Sequence, residues 1–442
     1  MAKGPGRNAP CPCGSGRKYK NCCLAADEAR ERAARAAAAP TASVWDVPDD
    51  DLLDEEDDDE AAFAFPGAPA SARDERLAAA QDDLWERFEG ADYETQLALF
   101  QEALQGEALD ADLAFEMLAD IQAEAERRGE LARFAALLDQ FAREAPGFYE
   151  EDAAYYAAWS IESAIACGDL ARLPAALEPF ARDPAGGIDE LFRVADQLLY
   201  YDQTAPLLDM LRRGWEPLND APLLLQQAFE DYAALMADLI VCEYARTSPA
   251  PRADDPALAR QLAAFLPDEA VTHYQENAAA LLGTLGRAWQ ARDFESPPRA
   301  EPRERRITLL GWEWAGDLWR AHGAPPGRTF LAGQTLVEFQ IEGAAKGKSA
   351  QAMLLPARRR LERFLKEQCD ELDYREYRAG ALVELLPLYP AFLTARGLLD
   401  AGAARRALAD WRPLYENFLR KLAADRDDPA IAAAIRARWA SV

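Results

Sequence analysis

The chain predicts an all-α protein in three parts: a small N-terminal metal knuckle, a domain of repeated helical hairpins, and a second helical lobe. Three observations carry that reading. Cysteines crowd into the first two dozen residues, apolar residues recur three and four apart from about position 71 onward, and no run of alternating strand pattern appears. With 442 residues and half of them apolar, the chain can bury real cores without help from a metal. Its formal charge of -28 disfavours general affinity for nucleic acid or anionic membranes, so an anionic partner must meet a locally basic patch.

The first element is the cysteine segment, residues 1–24. Cys11 and Cys13 are followed after eight residues by Cys22 and Cys23, with Gly14 and Gly16 placed where the chain must turn tightly. Soft thiolates at this spacing suit tetrahedral zinc, and four of them leave no coordination position open for water or substrate, so the site is expected to be structural. Iron is also held by four thiolates and stays a competitor on ligand softness alone. So short a segment has no core of its own, so metal binding and folding should be one event, worth on the order of 10 kcal/mol. Four cysteines in thirteen positions also argue for a reducing compartment over a disulfide framework. Cys167, Cys242 and Cys369 stand alone in apolar helical contexts and are expected to be small buried hydrophobes.

No acid occurs before residue 24, whereas Lys3, Arg7, Arg17, Lys18 and Lys20 do. Counting four thiolates and one divalent metal leaves this knuckle at about +3, a charge that suits docking to an anionic surface. Arg17, Lys18, Tyr19 and Lys20 are therefore the candidate partner-contact residues. The plainer alternative is that these charges serve solubility.

Residues 25–70 read as a short solvated helix up to Pro40 followed by an acidic linker. Residues 46–60 hold eleven carboxylates and no basic side chain, too little apolar surface to offset the entropy of ordering. Ordered structure is expected to resume near Ser71. The next part, residues 71–247, contains a duplication: GELARFAALLDQFARE over 129–144 returns as GDLARLPAALEPFARD over 168–183. In each copy the glycine can end one helix in the left-handed conformation, and the acid after it can open the next. A weaker copy starts at Tyr201 and a distant one at Gly402. Prolines and small polar residues around 248–256 and 296–306 punctuate the rest into a helical extension, 257–296, and a C-terminal helical domain, 305–442. There GWEWAGDLWRAHG can place Trp312, Leu318 and Trp319 on one helical face.

Two resemblances add to this reading. NAPCPCGSGRKYKNCC closely resembles the SEC-C motif, the zinc-binding element found at the C-terminus of the SecA translocase motor and in many uncharacterised bacterial proteins. That resemblance implies metal ligation by Cys11, Cys13, Cys22 and Cys23, and a basic surface that contacts partners such as a translocation chaperone or the ribosome. This chain ends the motif in Cys-Cys where members often end in Cys-His, which makes the site more negative. The hairpins, over roughly residues 110–246, resemble tetratricopeptide-like repeats, with an irregular helical domain carrying one duplication as the other reading.

Other signals carry less. GAAKGKS over 343–349 is one residue short of the phosphate-binding P-loop spacing, which changes the curvature of the loop. Asp50, Asp51 and Asp54 match a diphosphate-binding shape only within a low-complexity acidic run. His273 and His322 lack any metalloprotease or nucleophile-elbow context. The expectation is a non-catalytic adaptor in the cytoplasm: Pro5, Pro10 and Pro12 interrupt any signal-peptide core and no membrane span is apparent. An enzyme housed in the helical lobes is the rival, and a deep carboxylate-lined pocket would favour it. Ribosome or RNA contact through the knuckle is a third reading, and it requires steep salt dependence.

Overall fold

The computed structural model describes residues 72–221, 226–294, 302–344, 353–369, 376–425 and 428–441, all inside one compact unit, Asp57–Val442. Every regular element among the described residues is helical, as the apolar periodicity requires. The cysteine segment, the acidic run and most of GAAKGKS lie outside the described residues.

Helix α1 (Ala72–Glu89) packs on α2 (Tyr93–Leu104), and α3 (Ala111–Arg128) on α4 (Leu131–Glu144). Asp92 and Asp110 cap α2 and α3, each accepting a backbone N–H three residues on at 2.9 Å. Gly129 ends α3 with φ +69°, and Glu130 N–H then donates to Ala125 O at 2.8 Å. The second copy repeats this closure: after α5 (Pro146–Glu151) and α6 (Ala153–Ala166), Gly168 takes φ +70° and Asp169 N–H donates to Ala164 O at 2.8 Å. A shared core of Phe88, Phe100, Met117, Ile121, Phe134, Phe141 and Tyr156 joins the hairpins.

The copies then diverge. Residues 131–144 form one helix, whereas the second copy breaks into a 3-10 turn (Leu170–Arg172), α7 (Leu173–Ala176) and α8 (Glu178–Arg182). Pro174 and Pro179 account for this, since each lacks an N–H and restarts the helix from its first turn. Next come α9 (Ile188–Tyr200), α10 (Thr204–Asn219), which contains most of the third copy, and the long α11 (Gln226–Thr247). Arginine–carboxylate pairs 32 to 39 positions apart staple successive hairpins: Arg133–Glu94 (2.6 Å), Arg172–Asp139 (2.7 Å) and Arg182–Glu150 (2.7 Å).

Helices α12 (Pro256–Ala263) and α13 (Asp268–Leu281) pack on α11 and lead through a 3-10 turn (Ala291–Phe294) to α14 (Arg303–His322) and α15 (Pro326–Ala344). At the crossing of α14 and α15, a Cβ on Gly311 would lie 2.3 Å from the Val337 side chain, so glycine lets the two axes approach. Trp312 and Leu318 are buried, and the ring of the neighbouring Trp314 packs edge-on to Tyr389 at 5.0 Å. The chain closes with α16 (Arg358–Gln368), α17 (Glu376–Leu385), α18 (Tyr389–Ala395), α19 (Ala401–Asp425) and α20 (Pro429–Trp439). Gly343 and Ala344 finish α15, whereas a phosphate loop would open a helix.

Helix α9 packs on α6 on one side and on α15 and α17 on the other, so it carries both the last clear hairpins and the C-terminal helices. Of the solitary cysteines, Cys242 is buried and Cys369 half-buried. Cys167 corrects the expectation: it is exposed, because it follows the last turn of α6 where the chain turns away from the core. Among the described residues no helix is long and apolar enough to cross a membrane.

Candidate functional site

Four helices enclose a cleft of about 530 Å³, with α9 and α11 on one side and α15 and α17 on the other. Its chemistry is carboxylate-rich: Asp189 and Asp196 from α9, Asp231 and Asp238 from α11, and Glu338 from α15 line it, with Phe192, Leu235 and Phe330 as the apolar part. Two arginines offset these acids. Arg378 of α17 donates from Nε to Asp196 Oδ2 at 2.7 Å and reaches Glu338 Oε2 from Nη1 at 3.5 Å. Arg193 pairs with Glu190 at 2.7 Å and with Glu162 of α6. Each guanidinium is thus already held between two carboxylates.

Asp238 differs from the other acids. It is half-buried in the cleft wall, and among the described residues it accepts a hydrogen bond from Gln334 Nε2 at 3.5 Å, the outer limit of such a contact. Burial raises its carboxyl well above the usual aspartate range, opposed only by the charge of Arg378. A carboxyl shifted in this direction favours its neutral form, which can donate as well as accept a hydrogen bond. Among the described residues the lining contains no serine, threonine, cysteine or histidine. Among the described residues no group of three or more His, Cys, Asp or Glu side chains is arranged to hold a metal ion.

Behind the cleft the polar contacts continue into protein. Arg328 donates to both Glu384 oxygens at 3.1 and 3.2 Å and stacks over the Tyr200 ring at 4.2 Å, and Tyr200 OH donates to Glu384 at 3.2 Å. Gln197 Nε2 donates to Tyr377 OH at 2.9 Å. A second cavity, about 420 Å³ and mostly apolar, lies among Trp215, Met236, Ile240 and Phe265; its two polar residues, Arg212 and Gln261, hydrogen-bond each other at 2.9 Å.

The residues singled out by sequence, Cys11, Cys13, Cys22, Cys23, Arg17, Lys18, Tyr19 and Lys20, lie outside the described residues. His273 is away from the cleft, its ring 2.9 Å from Arg305 Nη1, with burial and that guanidinium lowering its pKa. The cleft acids were not read from the sequence. One of them left a trace: Asp238 is the only charged residue in YAALMADLIVC, residues 232–242, a run otherwise suited to a core. Asp196 pairs with a side chain 182 positions away, which no local pattern encodes.

Comparison with known proteins places one segment in a family context. The SEC-C motif model matches residues 7–25. Over 23 residues the chain is 78% identical to a protein translocase subunit SecA of Desulforudis audaxviator, which covers 5% of this chain and 2% of that protein. Another SecA, from Prosthecochloris aestuarii, is 90% identical over 19 residues, again 2% of its length. A UPF0225 protein of Sodalis glossinidius is 90% identical over 19 residues, 12% of its length. The chain therefore spans only a small fraction of these relatives, and all the similarity is to the motif. No solved structure matches.

Proposed function

We propose that this chain is a SEC-C-motif adaptor: a zinc knuckle at Cys11, Cys13, Cys22 and Cys23 contacts one partner through Arg17, Lys18, Tyr19 and Lys20, while the helical scaffold contacts another surface. The observation that carries this reading is the match over residues 7–25, where the four thiolates and the basic residues stand together. The donor set fits the metal: four soft ligands satisfy a tetrahedral ion completely, so the ion organises the segment and leaves no position for substrate. Two contacts of modest strength, joined by an acidic tether, act together through the effective concentration the tether sets. The partners are proteins of the cytoplasm, with ribosome or RNA contact as the reading in which the knuckle meets phosphate.

Metal content of protein purified without added metal tests this, compared between the natural chain and Cys22→Ser/Cys23→Ser and paired with capture of partners. One equivalent of zinc, lost together with partners in the variant, is the expected result. A natural chain with no metal overturns the proposal, and iron in place of zinc corrects the cofactor. Salt-insensitive capture removes the RNA reading.

The carboxylate-lined cleft favours one second reading, an enzyme recruited by the knuckle, because five acids line it and burial pushes one of them, Asp238, above the usual aspartate range. Incubation with a metabolite extract distinguishes it: a compound consumed by the natural chain but not by Asp238→Asn would establish catalysis.

A further inference from the structure

The cleft is one end of a longer surface. Ring contacts link α3 to α6, an ion pair links α6 to α9, and α9 shares the cleft with α11. Phe115 of α3 stacks on Trp159 of α6 with ring centroids 5.4 Å apart, and Tyr155 of α6 meets Phe115 edge-on at 5.4 Å. Three residues after Trp159, Glu162 pairs with Arg193 of α9, and Arg193 lines the cleft shared with α11. Tyr155, Trp159 and Glu162 are spaced four and three apart, hence on one side of α6.

This face has two unusual properties for a solvated surface. Tyr155 is 43% exposed, among the most exposed large apolar side chains described, and it stands on an aromatic platform instead of alone. Asp112 and Asp152 stand three residues before Phe115 and Tyr155, and burial and then the nearby Asp112 raise the pKa of Asp152. At the cleft, Arg193 and Arg378 are each held by two acids, which leaves Asp189 and Asp231 outside those ion pairs among the described residues. Asp238 keeps acceptor capacity beyond its 3.5 Å contact with Gln334.

We infer that the face formed by α3, α6, α9 and α11 is a docking groove for an arginine- and lysine-rich peptide segment of a partner protein. Charge complementarity selects that occupant. Aromatic faces at one end take a guanidinium or an aliphatic stem, and the exposed carboxylates of Asp189 and Asp231 at the other take the charge. Even at the 8–10 Å of packed helices, four of them side by side span about 30 Å, the reach of roughly nine extended residues, so the surface suits a segment and not a single small cation. The inference rests on the adaptor reading and names the chemistry of the partner that its scaffold takes.

The test uses the full chain and a fluorescein-labelled nonapeptide of alternating arginine and alanine, with the glutamate–alanine peptide as control. The basic peptide should bind and the acidic one should not, with affinity falling as salt rises from 50 to 200 mM. Asp189→Asn/Asp231→Asn, at two exposed cleft positions, should weaken binding about tenfold at low salt, and Tyr155→Ala about fivefold. Equal affinity for both variants and the natural chain overturns the inference and assigns the peptide to the acidic run at residues 46–60. Displacement by spermidine at matched charge concentration also overturns it, since the surface would then select charge alone. Cys22→Ser/Cys23→Ser should bind the peptide unchanged. Its metal content and partner capture are read separately, so failure of the groove and failure of the knuckle are told apart.

Discussion

The hairpin block and the seam around α9 use the same chemistry, arginine against carboxylate, in opposite settings. Along the hairpins, Arg172 with Asp139 and Arg182 with Glu150 have both partners in solvent, at 32–57% side-chain exposure. At the seam, Arg328 with Glu384 and Arg378 with Asp196 have carboxylates only 5–6% exposed and arginines 18–23% exposed. An exposed pair gains little because water solvates each charge nearly as well, and salt screens what remains. At the seam each charge has lost water and depends on its partner, so the pair adds modest net stability yet is expensive to break. Hairpin staples therefore set spacing, whereas seam pairs set which helices meet.

Removing one half of a seam pair should show the largest difference. Arg378→Ala removes the guanidinium that pairs with the buried Asp196 and is expected to destabilise by about 3 kcal/mol, read by urea unfolding; a loss below about 1 kcal/mol would place the seam in the same class as the hairpin staples. Gly327→Ala probes the same junction through shape, since its Cβ would sit 2.2 Å from Leu199 O at the end of α9. Forcing α15 away from α9 should cost about 2 kcal/mol. Tyr200→Phe removes only the hydroxyl that donates to Glu384, leaving Arg328 to satisfy that carboxylate, and should cost about 1 kcal/mol. Arg172→Ala, the hairpin counterpart, should cost less than about 1 kcal/mol and fade in high salt.

Asp238 sharpens the contrast through pH. Its folded pKa lies above the unfolded one, so the folded chain holds the extra proton between them. Its contribution is fully present below the unfolded value and is lost as pH rises through the folded value. Asp238→Asn should flatten that decline in urea midpoints measured across the range. Identical slopes in the natural chain and Asp238→Asn would mean that water reaches this carboxyl freely.

Local physics was legible from the residues. The repeated Gly-acid pair at 129–130 and 168–169 closes its helices as the pattern requires, because only the nearest few backbone groups and a residue tolerant of positive φ are involved. The Cys-x-Cys and Cys-Cys spacing carries the SEC-C match for the same reason, a ligand set contained in a short stretch. Two proline positions broke the second copy of the hairpin, which the strength of the repeat had masked. What the chain did not declare is the cleft and the seam. Asp196, Glu384, Arg328 and Arg378 are ordinary charged residues of amphipathic helices until α9, α15 and α17 come together. Periodicity fixes which face of each helix is apolar, but burial of a particular carboxylate depends on which distant face covers it, and that is settled only by packing.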